Sequence, residues 1–200
     1  MEVKKLMRKA FAVCSLAGMT MAFFTVDAQV KNTYPISKDY TVTIQGTSNL
    51  HSWNETVEKV SGNVVVNWNK DGSFDVNAIT IKMDVHSIKS DVGSVMNNNT
   101  YKALKADSHP EIIFALNAPV KNNQIKSDEM TIAAKGSLNI AGVTRPVDMM
   151  VKVLIRGNRK LIFEGSQTIK MSDFDIAPPT ALFGTLKTGN EVAINFKTGI

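Results

Sequence analysis

The residues that could perform chemistry are few in this sequence, and their spacing does not favour catalysis. His51, His86 and His109 are far apart, and none lies in an H-x-x-x-H pattern that would bring two imidazoles to one metal ion. Ser172 and Asp173 could join His51 in a triad, but the chain lacks the nucleophile-elbow pattern G-x-S-x-G. Distant Ser, His and Asp residues occur by chance in most chains, so we predict no enzyme, no metal site and no catalytic cofactor.

The N-terminus has the pattern of a secretory signal peptide. A basic segment precedes an uncharged apolar stretch, and the small residues Val26 and Ala28 suit cleavage before Gln29. The stretch is short for a membrane span, although an uncleaved anchor helix is the alternative. The sequence thus predicts a signal peptide at 1–28, a single domain at 29–200, and export to the periplasm or beyond.

The cysteine content and the distribution of charge indicate whether the protein has disulfides and which partners it could bind. The only cysteine, Cys14, lies in the predicted signal peptide, so the exported domain would have no disulfide and would depend on its own core. The formal net charge of +5 is scattered, with no run of four lysines, which favours solvated strand faces over a nucleic-acid surface. We expect at most peripheral contact with anionic membranes. The oligomeric state stays open, with a homodimer as one option.

Most of the remaining chain alternates apolar and polar residues with the period of two that is typical of β-strands. The alternation is cleanest at 131–140 and 147–155. Short turn sequences join most of these segments, which favours an up-and-down barrel over a sandwich. We therefore predict an all-β fold, an eight-stranded antiparallel barrel. Such a barrel either fills its interior with side chains or holds one small ligand, and alternation alone gives the two equal weight.

Two irregularities are expected within the strands. A long strand at 56–68 should be kinked or bulged near Gly62, because glycine in a strand interior often marks such a site. The next strand, 74–85, changes phase between Ala78 and Ile79, which predicts a β-bulge.

One stretch breaks the β pattern. Met96, Tyr101 and Leu104 recur at roughly helical spacing, which predicts a short helical segment near Met96–Ala106. The asparagines at 97–99 are predicted to cap its start. Pro110 should end it, because the residue before proline is driven to extended geometry. We predict that this helix lies across one end of the barrel as a plug or gate, with Leu104 as its buried anchor.

Four ordered motifs resemble those of YceI-like proteins. They are G-T-S-N-L-H-S-W at 46–53, the stretch from Met96 through L-K-A-D-S-H-P-E-I-I-F, G-S-L-N-I-A-G-V-T-R-P-V at 136–147, and K-M-S-D-F-D-I with the following P-P and L-F-G at 170–184. The resemblance covers nearly the whole exported domain. It implies a lipocalin-like barrel, secreted or periplasmic, which in some members carries a polyisoprenoid or quinone-like lipid.

The sequence departs from the resemblance at one loop. Many members have an arginine and a glycine at the positions where this chain has Met171 and Asp175. If that arginine holds a polar lipid head group, the resemblance implies that this chain binds a different one.

Two functions therefore compete. The first is a secreted or periplasmic protein that binds an apolar lipid, a linear isoprenoid or quinone-like molecule, inside the barrel. The second is a barrel with a filled core that acts through its loops as a protein-interaction or stress-related module. Under the first, the ligand-binding residues would be Trp53, Leu104, Phe114, Ala134, Leu138, Ile140, Met149, Val151, Val153, Phe163 and Phe174.

Individual rim residues have alternative explanations. Trp53 follows the first predicted strand, where it could stack on a ligand with His51 as a hydrogen-bond partner. Packing of Trp53 at the rim and a structural hydrogen bond by His51 would explain the same residues. His109 precedes Pro110 in a turn, and we expect its role to be structural.

Overall fold

A computed structural model describes residues 32–200 of the protein, so the predicted signal peptide at 1–28 lies outside the described residues. These residues form thirteen β-strands, one α-helix and short 3-10 turns. The strands are β1 (Asn32–Pro35), β2 (Thr41–Ser48), β3 (Ser52–Val57), β4 (Val60–Trp68), β5 (Phe74–Asp84), β6 (Ile88–Ser90), β7 (Glu111–Leu116), β8 (Val120–Asn123), β9 (Glu129–Ile140), β10 (Val143–Arg156), β11 (Lys160–Lys170), β12 (Thr180–Ala181) and β13 (Leu186–Gly199), and the helix is α1 (Ser94–Ala103).

The strands form a barrel of eight positions because two long strands are each divided in two. β3 continues into β4 across residues 58–59, and β5 continues into β6 across a 3-10 turn at Val85–Ser87. Antiparallel pairing then runs from β2 through β3/β4, β5/β6, β7, β9, β10, β11 and β13, and from β13 back to β2. The predicted all-β antiparallel barrel is confirmed, with thirteen strand segments in place of eight continuous strands. Neighbours in space are mostly neighbours in sequence, as in an up-and-down meander.

The short strand β1 completes the wall at one end. Beyond the break between β3 and β4, β4 pairs with β1 instead of β2. The next residues continue the bridge, since the Ser37 amide donates to the Gly199 carbonyl at 2.6 Å. Residues 32–37 therefore lie between β4 and the end of β13.

The interior register follows the alternation read from the sequence. Ile132, Ala134, Leu138, Ile140, Val151, Val153 and Phe163 are buried, and Met149 is half-buried. The two longest of these strands pair in a single register, with Ala134 opposite Met149 and Ile132 opposite Val151. The intervening Ala133 and Met150 are exposed, as the period of two requires.

The structure corrects one strand irregularity and confirms the other. The kink predicted near Gly62 lies instead at Glu58 and Lys59, so that 56–68 is not one strand. The Tyr40 hydroxyl donates to the Glu58 carbonyl at 2.8 Å, which satisfies the backbone where the ladder is interrupted. The bulge in β5 is present: Val65 pairs with Ala78 and Val66 with Val76, which leaves Asn77 without a partner in the ladder.

Helix α1 is in the predicted region, but the prediction of its N-cap is wrong. It begins at Ser94 after Gly93, whose φ of 105° is readily adopted only by glycine. The asparagines lie inside the helix, where the Asn97 side chain accepts a hydrogen bond from the Ser90 amide of β6 at 2.8 Å. This bond to a neighbouring strand overrides the weak helix propensity of asparagine. Leu104, the predicted buried anchor, is half-buried, while Ala106 is buried.

Two glycines on interior faces create room for aromatic rings. The Phe114 ring of β7 lies against Gly136 of β9, where a Cβ atom would collide with the ring and would lie 2.8 Å from the Ala115 carbonyl. The Phe196 ring of β13 lies against Gly165 of β11, where a Cβ atom would be 2.6 Å from the ring. The glycines thus let the two rings rest close to the wall.

We expect Gly136→Ala to lower the free energy of unfolding by about 1–3 kcal/mol, because the added methyl group overpacks the site and the adjacent carbonyl cannot withdraw as a side chain can. Gly157→Ala is the matched control, since a methyl group added there would have no atom within 4 Å. The control should change stability by less than about 0.5 kcal/mol. Equal denaturant midpoints for the two variants would contradict the assigned contact.

Candidate ligand-binding site

The barrel interior contains two cavities arranged end to end. The upper cavity, about 270 Å³, lies beneath helix α1, and the lower cavity, about 110 Å³, lies deeper in the barrel. The Ile194 side chain lines both and marks where they meet. The upper cavity alone is near the lower end of the about 300–1,000 Å³ range of small-molecule sites.

The walls of the upper cavity are mainly aliphatic. Interior positions of the strands contribute Ile44, Ile112, Ile140, Ile169, Val192 and Ile194. The helix side contributes Met96 and Ala103, together with Leu104 directly after α1. Such a surface can hold an apolar chain, because burial of hydrocarbon is favourable and non-directional.

Polar contacts hold α1 over this cavity. The Tyr101 hydroxyl is 2.8 Å from the His86 carbonyl and 2.9 Å from the Ile88 carbonyl. The Lys89 amine donates to the same hydroxyl at 2.8 Å, and this hydrogen bond raises the pKa of Lys89. No residue of α1 is fully buried. A helix that is attached by a few partly buried hydrogen bonds and has no fully buried residue can open locally, as a lid would have to.

Four large apolar residues on the segments that border the upper cavity form what we call the apolar rim: Leu50, Val92, Val95 and Phe183. All four side chains are exposed. Leu50 lies in the β2–β3 turn, which is joined to the segment before β13 through the Asn49 side chain, 2.8 Å from the Thr185 carbonyl. Val92 and Val95 also line the cavity. Large apolar residues exposed together at a cavity mouth mark a place where an apolar molecule or surface can make contact.

One ionisable side chain is buried in the upper cavity. Glu55 of β3 is only 2% exposed and lines the cavity on the same face of the strand as Trp53 and Val57. Its carboxyl accepts a hydrogen bond from the Thr100 hydroxyl of α1 at 2.6 Å. Burial raises the pKa of the Glu55 carboxyl, and the hydrogen bond from Thr100 partly offsets that increase.

The sequence reasoning missed Glu55 because it started the strand at Thr56. A strand begun at Ser52 puts residues 53, 55 and 57 on one face, so the period of two would have placed a glutamate among interior residues. Thr100, its partner on α1, carries no comparable signal in the sequence.

The predicted ligand-binding residues fall into three groups. Three of them line the upper cavity, namely Trp53, Leu104 and Ile140. Six line the lower cavity, namely Phe114, Ala134, Leu138, Met149, Val151 and Phe163. Val153 and Phe174 are fully buried in the hydrophobic core and line neither cavity.

The rim residues have structural contacts as well. The Trp53 indole donates to the Thr47 carbonyl at 3.1 Å, and its ring covers Gly46, so this side chain is fixed while one surface faces the cavity. His51 is exposed and lines the cavity at the mouth. The His109 ring lies against Gly142, where a Cβ atom would be 2.6 Å away, in keeping with a structural role.

Two structural features are absent from residues 32–200. No group of three or more His, Asp or Glu side chains there is arranged to hold a metal ion. No helix in the same range has the length and apolar character needed to cross a bilayer.

Solved structures share the fold. BcnA of Burkholderia cenocepacia aligns with a TM-score of 0.61 and 20% sequence identity, over 82% of this chain and 99% of its own. A polyisoprenoid-binding domain from Saccharophagus degradans, implicated in plant cell wall breakdown, aligns with a TM-score of 0.65 and 12% identity, over 84% and 97%. The YceI protein of Campylobacter jejuni aligns with a TM-score of 0.50 and 17% identity, over 96% and 98%.

The family follows from the sequence profile. No curated protein matches the chain significantly. The profile of the YceI-like domain matches residues 19–199, which is most of the sequence and includes every described strand. This chain therefore belongs to the YceI-like family.

Proposed function

We propose that this protein is an exported carrier that holds one linear apolar lipid, of the isoprenoid or quinone-like class, in the barrel interior. The observation that carries the proposal is the pair of aliphatic cavities that meet at Ile194 beneath a weakly held helix. An extended chain could pass from the upper into the lower cavity, whereas a bulky rigid ligand could not. The signal-peptide pattern at 1–28 supports export to the periplasm or the extracellular space.

The energetics favour a long chain over a short one. Each buried methylene contributes about 0.8 kcal/mol, and association costs about 4–15 kcal/mol. Several isoprene units are therefore needed for useful affinity. The Saccharophagus degradans relative is described as polyisoprenoid-binding, which is consistent with the same class of ligand here. Binding of a hydrocarbon chain fits a lining that is mainly aliphatic.

The alternative is a protein-interaction module that acts through its loops. The observation in its favour is the apolar rim, whose exposed side chains could equally contact a protein. In that case the interior would hold no lipid in the cell. Lipid extraction of protein purified without detergent, followed by mass spectrometry, tests the difference directly: a co-purifying prenyl lipid supports the carrier, and its absence together with failure to bind added polyprenol would refute it.

Ala134→Phe should abolish lipid binding, or restrict it to shorter chains, without unfolding the protein. Ala134 lines the lower cavity, and an apolar cavity of about 150 Å³ accommodates benzene, so a phenyl ring would occupy most of the 110 Å³ present. The variant should lose the rise in melting temperature that added polyprenol gives the wild type.

Ala133→Phe, at the adjacent exposed position of β9, is the matched control and should bind as the wild type does. If the interior is simply packed, Ala134→Phe will instead lower stability by about 1–3 kcal/mol, and neither variant will show a lipid to lose.

Leu104→Ala should speed lipid exchange several-fold, because Leu104 lines the upper cavity at the end of α1 and its loss loosens the lid. The measurement is the rate of transfer of a fluorescent polyprenol from the protein to acceptor vesicles. Lys102→Ala, an exposed position on the same helix, controls for changes in helix stability. An unchanged rate in a folded Leu104→Ala variant would rule out the lid role.

A further inference from the structure

Glu55 is an unusual residue for the wall of a lipid cavity. A buried carboxyl costs free energy unless it is neutralised or well hydrogen-bonded. Within residues 32–200, Thr100 supplies the hydrogen bond to its side chain, at Oε1, and the carboxyl group has a second oxygen. A residue that only stabilised the barrel would be better replaced by an aliphatic one, like the isoleucines around it.

The other ionisable side chains of the upper cavity also bear on which head group could bind near Glu55. Among the described residues, no Lys or Arg lines the upper cavity, and the one other ionisable side chain in its lining is His51, which is exposed at the mouth. Met171 occupies the wall formed by the 3-10 turn after β11. A negatively charged head group brought to Glu55 would therefore meet a carboxyl group, little solvent and no fixed positive charge from this lining.

The protonation state that burial favours for Glu55 determines which chemical groups its carboxyl can hydrogen-bond. Burial favours the neutral form of Glu55, as its raised pKa indicates. A neutral carboxyl has one O–H donor and remaining acceptor capacity, so it can hydrogen-bond to a hydroxyl or a carbonyl oxygen. The Thr100 hydroxyl, which donates to Oε1, fixes the orientation of the group.

We propose that Glu55 and Thr100 form a polar anchor in the upper cavity that selects a lipid with an uncharged, hydrogen-bonding end, a hydroxyl or carbonyl, and rejects one with an anionic end. This inference rests on the proposed lipid-carrier function. The apolar tail then extends past Ile194 toward the lower cavity. Since Thr100 belongs to α1, the anchor also joins the bound head group to the helix that covers it.

The test uses four probes with the same branched fifteen-carbon skeleton: farnesane, which is saturated and has no polar group, and the unsaturated farnesol, farnesylamine and farnesyl diphosphate. Binding to delipidated full-length exported protein is measured by calorimetry or dye displacement. We expect farnesol to bind several-fold more tightly than farnesane and at least tenfold more tightly than the diphosphate. Glu55→Leu should bring farnesol to the affinity of farnesane, while farnesane itself binds at least as well as before.

Glu55→Gln keeps a hydrogen-bonding group but removes the charge, so it should retain farnesol and narrow the discrimination against the diphosphate. Glu58→Gln, at an exposed glutamate three residues away, is the matched control. It should change neither the affinity for farnesol nor the discrimination against the diphosphate. Tightest binding of farnesylamine, or a diphosphate affinity equal to that of farnesol, would overturn the anchor while leaving the carrier function intact. Failure of both farnesane and farnesol to bind would overturn the carrier function and the anchor with it.

The anchor also predicts a pH dependence of stability in the lipid-free protein. The folded pKa of Glu55 is raised above its ordinary value of 4.5, so its contribution to stability is fully present below pH 4.5 and is lost as the pH rises through the folded pKa. Glu55→Gln cannot lose this contribution. Its melting temperature relative to the wild type should therefore increase as the pH rises through that window.

His51 is the other ionisable group in the cavity lining, so the comparison is repeated in a His51→Gln background. In that background, the proteins with and without Glu55→Gln should still differ in how their melting temperature changes with pH. Parallel melting-temperature profiles for the two proteins from about pH 4 to 8 would show that Glu55 is not held neutral, and would overturn the anchor.

Discussion

Closure of the barrel by the pairing of β13 with β2 is the constraint on which the rest of the structure depends. Once every strand in the ring has neighbours on both sides, the backbone is satisfied within the wall and side chains must alternate inward and outward. The interior volume is then set by the sizes of the inward residues. Closure would fail where β2 no longer reaches β4, and it is there that the chain inserts β1 and uses the Tyr40 hydroxyl to satisfy the Glu58 carbonyl.

The apolar interior and the lid impose opposite demands. If the cavity binds and releases a lipid, as proposed, its cover has to move, and a mobile cover cannot be held by deep core packing. Helix α1 is attached mainly through hydrogen bonds of the Tyr101, Asn97 and Thr100 side chains, which can break without repacking of the core. The hydrogen bond between Thr100 and Glu55 differs from the other two because it is made inside the cavity, where a ligand can compete for it.

Much of the architecture could be predicted from the sequence because a period of two is a local signal. Ile132 to Ile140 and Val147 to Ile155 alternate without interruption, and the structure places most of these apolar residues on the interior face. The phase change in β5 likewise revealed a bulge. These features need no knowledge of distant residues, since pairing in any other register would expose the whole apolar set.

What could not be predicted depends on contacts with other elements of the fold. Asn97 lies inside a helix because β6 supplies its partner, and Glu55 is hydrogen-bonded in the interior because Thr100 reaches it from 45 positions away. Val153 and Phe174 are apolar like the residues that line the cavities, yet they are packed within the hydrophobic core. Whether an inward side chain meets a cavity or another side chain is decided by its neighbours across the barrel, which period alone does not identify.

The contact of Phe114 with Gly136 and of Phe196 with Gly165 has a consequence for how such barrels could diversify. The width of the lumen at these rings is governed by the absence of a single methyl group in the wall opposite each ring. A glycine codon becomes an alanine codon by one base substitution, and that change would displace an aromatic ring toward the lumen. If the lumen holds a lipid as proposed, the chain length it accepts could therefore change in single mutational steps that keep the strand order, at the cost in stability expected for Gly136→Ala.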